Sequence, residues 1–139
     1  MNVFEFRERG LSGVDEATEN LAETVIGALI EVHKHLGPGM PEIAYRRAVE
    51  HEFDLRGIAY QREVPVTIRY KGEVVAECRL DLLVEGVLIL ELKVVEALND
   101  VHRAQLLSYL RATKLQLGLL VNFNVTLLRN GIKRVINTT

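Results

Sequence analysis

The stretch from Arg79 to Leu98, RLDLLVEGVLILELKVVEAL, is an apolar hairpin interrupted by three charged side chains, Asp81, Glu91 and Lys93. Leu80, Leu82, Leu83, Val87, Leu88, Ile89, Leu90 and Leu92 make ordinary core strands, and an ionised group set among them costs several kcal/mol unless it is paired or metal-bound. A divalent cation supplies such a partner. Two carboxylates and the carbonyl of an intervening residue are the hard oxygen ligands that Mg²⁺ or Mn²⁺ takes, and a lysine two residues along can act on a group beside the metal.

Parity sets a condition on this reading. Glu91 and Lys93 share a face because strand side chains alternate. A two-residue loop at Glu85-Gly86 pairs Asp81 with Leu90, whereas a three-residue loop over Glu85, Gly86 and Val87 sets Asp81 opposite Glu91, with Gly86 free to take positive φ. The three-residue register is expected.

Working outward, 139 residues suffice for one domain with a sizeable core. Hydrophobic content of 48% with 26% charged residues is that of a globular protein, and no apolar run approaches the roughly 20 residues of a membrane span. The N-terminal sequence lacks a signal-peptide pattern, so a cytoplasmic location is expected. Cys78 is the single cysteine, which rules out an intrachain disulfide and reads as a reduced, buried small residue. A net charge of −2 argues against holding nucleic acid by bulk electrostatics, while leaving room for a local cluster drawn from Arg46, Arg47, Lys71, Arg79, Arg103, Arg111 and Lys114.

Residues 1–14 lack a sustained period and read as an N-terminal arm, docked by Phe4 and Phe6, with residues 15–139 as one domain. Apolar residues at three- and four-residue spacing from Leu21 to Leu36 predict a helix over about 16–36, stopped by Gly37-Pro38. Pro41 begins a second helix that runs to Gly57. Strands follow at 60–70, 73–84 and 87–95 as a meander. Asn99 or Asp100 caps a third helix ending near Thr113, with Val101, Ala104, Leu107, Tyr109 and Leu110 as core positions. Residues 115–121 form a strand buried on both faces. Asn130-Gly131 predicts a closing hairpin between 125–128 and 132–136.

This arrangement, an α/β fold with a mixed sheet, a central three-stranded meander and flanking helices, resembles the PD-(D/E)XK nuclease superfamily. Asp81, Glu91 and Lys93 match its central D…ExK motif; Gly39, Glu42 and Tyr45 in GMPEIAY match the signature of the GxxExxY branch; Gln105 and Tyr109 in AQLLSYL match the Q-x-x-x-Y of its exonuclease-like branches. Asn124 and Thr126 stand where that branch has Gly and Pro. The resemblance implies that Asp81 and Glu91, completed by Glu42, bind one or two Mg²⁺ or Mn²⁺ ions. It implies further that Lys93 orients or activates the attacking water, that Gln105 steadies the site, and that Tyr45 and Tyr109 lie against the substrate. On residue chemistry alone, Glu42 equally suits a first-turn carboxylate on the helix dipole, and Tyr109 an amphipathic core residue. His33 and His35, two apart on a helix, do not make a metal site, and His102 reads as a surface residue.

Two functions from different classes remain open. One is a metal-dependent nuclease acting on DNA or RNA phosphodiesters. The other is a non-catalytic module that keeps the fold and recognises a protein partner or a second copy of itself, which the net charge favours.

Overall fold

A computed structural model of the chain describes residues 13–138. The expected docking of Phe4 and Phe6 lies outside them. Helix α1 (Glu16–Leu36) begins where Asp15 accepts a 2.8 Å hydrogen bond from Thr18 N, which satisfies one of the amides that a helix start leaves without a partner. Gly37 ends it at φ 66°. Pro41 is the N-cap of α2 (Glu42–Arg56), one residue outside the helix, and Gly57 closes α2 in the left-handed region.

Five strands form one sheet in chain order: β1 (Tyr60–Tyr70), β2 (Glu73–Val84), β3 (Leu88–Lys93), β4 (Leu117–Asn122) and β5 (Ile132–Ile136). The first three are the expected antiparallel meander, β4 runs parallel to β3 through helix α3 (Asp100–Thr113), and β5 returns antiparallel to β4. Alternation along β3 divides the core. Leu88, Leu90 and Leu92 join α1 and α2 on one face, while Ile89 joins Leu106, Tyr109 and Leu110 of α3 on the other.

Three expectations change. Residues 125–128 form no strand; Leu128–Gly131 is a 3₁₀ turn, and β5 pairs with β4 rather than with its neighbour in sequence. The Asn-Gly signal marks a change of direction, but the partner strand is set by the buried edge of β4. Gly131 is needed because a Cβ there would stand 2.2 Å from the Asn122 carbonyl oxygen. Helix α3 is rotated from the expected phase: Leu106, Tyr109 and Leu110 are buried, Val101 is 74% exposed and Ala104 is exposed. Gly118 lets the helix approach, since a Cβ at that position would meet Leu106 Cδ1 at 2.8 Å.

Tyr45 is the third change. It has no exposed surface, so the substrate contact expected of it is replaced by a structural one. Its ring stacks on Phe123 with centroids 4.4 Å apart. Its hydroxyl donates to Gly37 O and accepts from Met40 N, clamping the α1–α2 connection, where Gly39 sits at φ 97°. The G-x-x-E-x-x-Y spacing is thus also that of a loop clamp. Tyr45→Phe removes both hydrogen bonds and is expected to lower the denaturation free energy by about 1–2 kcal/mol; an unchanged denaturant midpoint would show that the hydroxyl holds nothing.

Candidate active site

The hairpin between β2 and β3 turns in three residues. Glu85 (φ 52°) and Gly86 (φ 71°) take left-handed conformations, and Val87 N donates to Val84 O at 3.0 Å. The ladder then runs Val84↔Leu88, Leu83↔Ile89, Leu82↔Leu90 and stops. Its next step would pair Asp81 with Glu91, the expected register. Instead of extending the ladder, the Asp81 carboxylate reaches across and accepts from Leu92 N at 2.7 Å. Beyond this point β2 pairs only with β1.

The same place is irregular on the other side. The β1–β2 ladder holds Arg62↔Leu82 and Val64↔Leu80 but omits the intervening Glu63 and Asp81, and Glu63 has φ 52°. Leu82 packs with α1 and α2, whereas Leu80 packs with α3. The strand therefore changes face at Asp81, and β2 and β3 part as a fork with Asp81 in its angle.

Glu91 lies in that fork, only 4% exposed, on the face turned toward α3. Among the described residues its Oε1 is buried with no hydrogen-bond partner. Burial first, and then the neighbouring Asp81 charge, push its carboxyl up to about 9, while Lys93 pulls in the opposite direction. Lys93, half-buried at the end of β3, points its Nζ at Gln105 Oε1 of α3, 3.4 Å away. Tyr109, 7% exposed on the same face of the sheet, is pushed up to about 12 by burial and then by the Glu91 charge. Asp81, Glu91, Lys93, Gln105 and Tyr109 thus meet on one face of the sheet.

Glu42 is not gathered with them. It is exposed in the first turn of α2, which packs on the opposite face of the sheet, and among the described residues no three His, Cys, Asp or Glu side chains gather as a metal site. Its position suits the helix dipole. Asp81 and Glu91 still fit a hard divalent cation, because the orphaned Glu91 oxygen is the kind of ligand such an ion takes.

Two supporting residues carry little signal in sequence. Asn122, 2% exposed, accepts from Val95 N and Asn124 N and donates to Val95 O, latching the chain as it leaves β3. Phe123 N also donates to Lys93 O at 3.0 Å. An asparagine that closes an apolar strand run is the only hint of this latch. His33, buried in α1, donates from Nε2 to Phe123 O and Val125 O at 3.2 and 2.9 Å, a structural role. His102 completes the capping box of α3 with Asn99.

A proton held by Glu91 in the fold but lost on unfolding fixes a sign. The carboxyl's raised value means that its contribution to stability is complete below its usual 4.5 and is lost as pH rises toward 9. In metal-free buffer, stability is expected to fall across that window with a slope approaching ~1.4 kcal/mol per pH unit. Glu91→Gln should remove the slope, and parallel pH–stability curves for the two proteins would contradict the assignment.

A family model described as the PD-(D/E)XK nuclease superfamily matches residues 19–135, a span that takes in most of α1, all of α2, the fork and β4. Neither a curated protein nor a solved structure matches the chain. With the D…ExK residues gathered where β2 and β3 part and the match covering most of its length, the chain belongs to the PD-(D/E)XK nuclease superfamily.

Proposed function

We propose that this protein is a metal-dependent nuclease of the GxxExxY branch, hydrolysing nucleic-acid phosphodiesters at the β2–β3 fork. The observation that carries this is the buried Glu91 Oε1, without a partner among the described residues, next to a second carboxylate and a lysine. A purely structural ion pair would satisfy its oxygens. Asp81, Glu91 and the Leu92 carbonyl would hold Mg²⁺ or Mn²⁺, which when bound would polarise the phosphate and favour hydroxide at neutral pH.

The chain's own residues supply the rest. Lys93 offers a positive charge and three donors on the Glu91 face, suited to orienting a water and countering charge on the phosphate in the transition state. Gln105 restrains the ammonium from α3. Asp81, with one oxygen engaged by Leu92 N, is fixed in orientation, so the pair does not have to reorganise during reaction. Tyr109 packs with Ile89 and Leu106 on the Glu91 face of the sheet and helps to seat α3 there.

A second reading, a non-catalytic interaction module for a protein partner or a second copy, is favoured by the net charge of −2. The two diverge experimentally. With labelled single- and double-stranded DNA and RNA in Mg²⁺ or Mn²⁺, cleavage is expected to fall by about 10²-fold or more in Lys93→Ala, as for loss of a transition-state charge contact, with the circular dichroism spectrum retained. No cleavage by the wild type, together with strong coupling between Glu91→Gln and Lys93→Met in denaturant midpoints, would favour the module.

A further inference from the structure

An open groove of about 640 Å³ lies between Pro65–Arg69 of β1 and Ser108–Thr113 of α3. It is on the same side of the sheet as Glu91, because Val66 and Ile68 in its wall pack with Ile89, Leu106 and Tyr109. Resting on the nuclease reading, we propose that this groove carries a single nucleic-acid strand away from the fork, with Arg69 and Arg111 as its phosphate contacts.

Charge is the first argument. In a chain of net charge −2, the groove is lined by two arginines and no carboxylate. Both arginines are exposed, and neither is in an ion pair among the described residues. Arg69 donates one bond to Gly72 O at 3.3 Å and keeps its remaining donors. The α3 hydroxyls are already committed, Ser108 to Ala104 O and Thr113 to Tyr109 O, so on the helix side Arg111 is the side-chain donor left for an anion, with Arg69 and the Thr67 hydroxyl facing it from β1. A second concavity, lined by Glu50 and Asp54 of α2 and by Arg62, has the opposite balance and does not suit a phosphate chain.

Spacing is the second. Helix α3 supplies both Gln105, beside Lys93, and Arg111, six residues on. At 1.5 Å per residue they are about 9 Å apart along the axis, on the order of two to three nucleotides at ~3.4 Å per step of a stacked strand. The groove wall also presents Ile68 and Ala112 as apolar surface for sugars and bases. A strand alternating anionic phosphates with flat apolar bases matches a guanidinium rim over an aliphatic wall.

The test is anisotropy of fluorescein-labelled 16-nucleotide single strands of DNA and RNA in EDTA, across a salt series, with cleavage in Mg²⁺ measured in parallel. Arg69→Ala/Arg111→Ala is expected to weaken binding about 10-fold or more at low salt. It should also reduce the slope of log affinity against log salt by about 1.4, or ~0.7 for each lost phosphate contact. Lysine at both positions should restore the slope, and unchanged melting temperatures keep folding out of the comparison. Unchanged affinity and slope in the double alanine variant would overturn the groove even if the wild type cleaves. Arginine-dependent binding without cleavage would uphold the groove and remove the nuclease. Absence of strand binding by the wild type would overturn the groove.

Discussion

The parting of β2 from β3 at Asp81 is the constraint on which the site depends. A sheet that stayed paired through this point would use the backbone amide of Leu92 in its ladder and leave no opening for side chains. Here the Asp81 carboxylate takes that amide at 2.7 Å, replacing a ladder bond with a side-chain bond. Charged acceptors make stronger hydrogen bonds than carbonyls, so the strands can separate without leaving the donor unsatisfied. Glu91 then stands in a dry angle between two strands and α3, close enough to Asp81 for one charge to work against the other.

The scaffold around the fork is arranged to keep it fixed. Gly118 lets Leu106 press α3 onto β4, which brings Gln105 and Tyr109 over the Glu91 face. Asn122 and Phe123 hold the end of β3 from the far side, and Phe123 in turn stacks on Tyr45 beneath the α1–α2 clamp. Residues of three sequence signatures therefore divide between two tasks. Asp81, Glu91, Lys93 and Gln105 surround the fork, whereas Tyr45 secures the loop behind it.

Much of this was legible because it rests on parity and periodicity. The charges among leucines in 79–98, with Gly86 at the turn, defined the register that places Asp81 and Glu91 together, and α1 and α2 followed from apolar spacing and their glycine stops. What was not legible depends on contacts distant in sequence. Asn130-Gly131 specifies a turn, but nothing local says that β5 will seek β4. The phase of α3 puts Leu106 against the small surface of Gly118, a contact distant in sequence, and Val101 emerged exposed. Glu42 and Tyr45 share a helix with the right motif spacing, yet that helix packs on the opposite face of the sheet from Glu91, a relation that spacing alone does not encode.

The central claim is that the fork holds a carboxylate pair completed by a cation. It is tested most directly by following the side-chain carboxyl ¹³C shift of Glu91 through a pH titration, with and without Mg²⁺. Without metal the carboxyl is expected to titrate near 9, held up by burial and by Asp81; with Mg²⁺ it should be ionised at pH 7. A Glu91 that titrates in the ordinary carboxylate range without metal, and does not respond when Mg²⁺ is added, would contradict the claim.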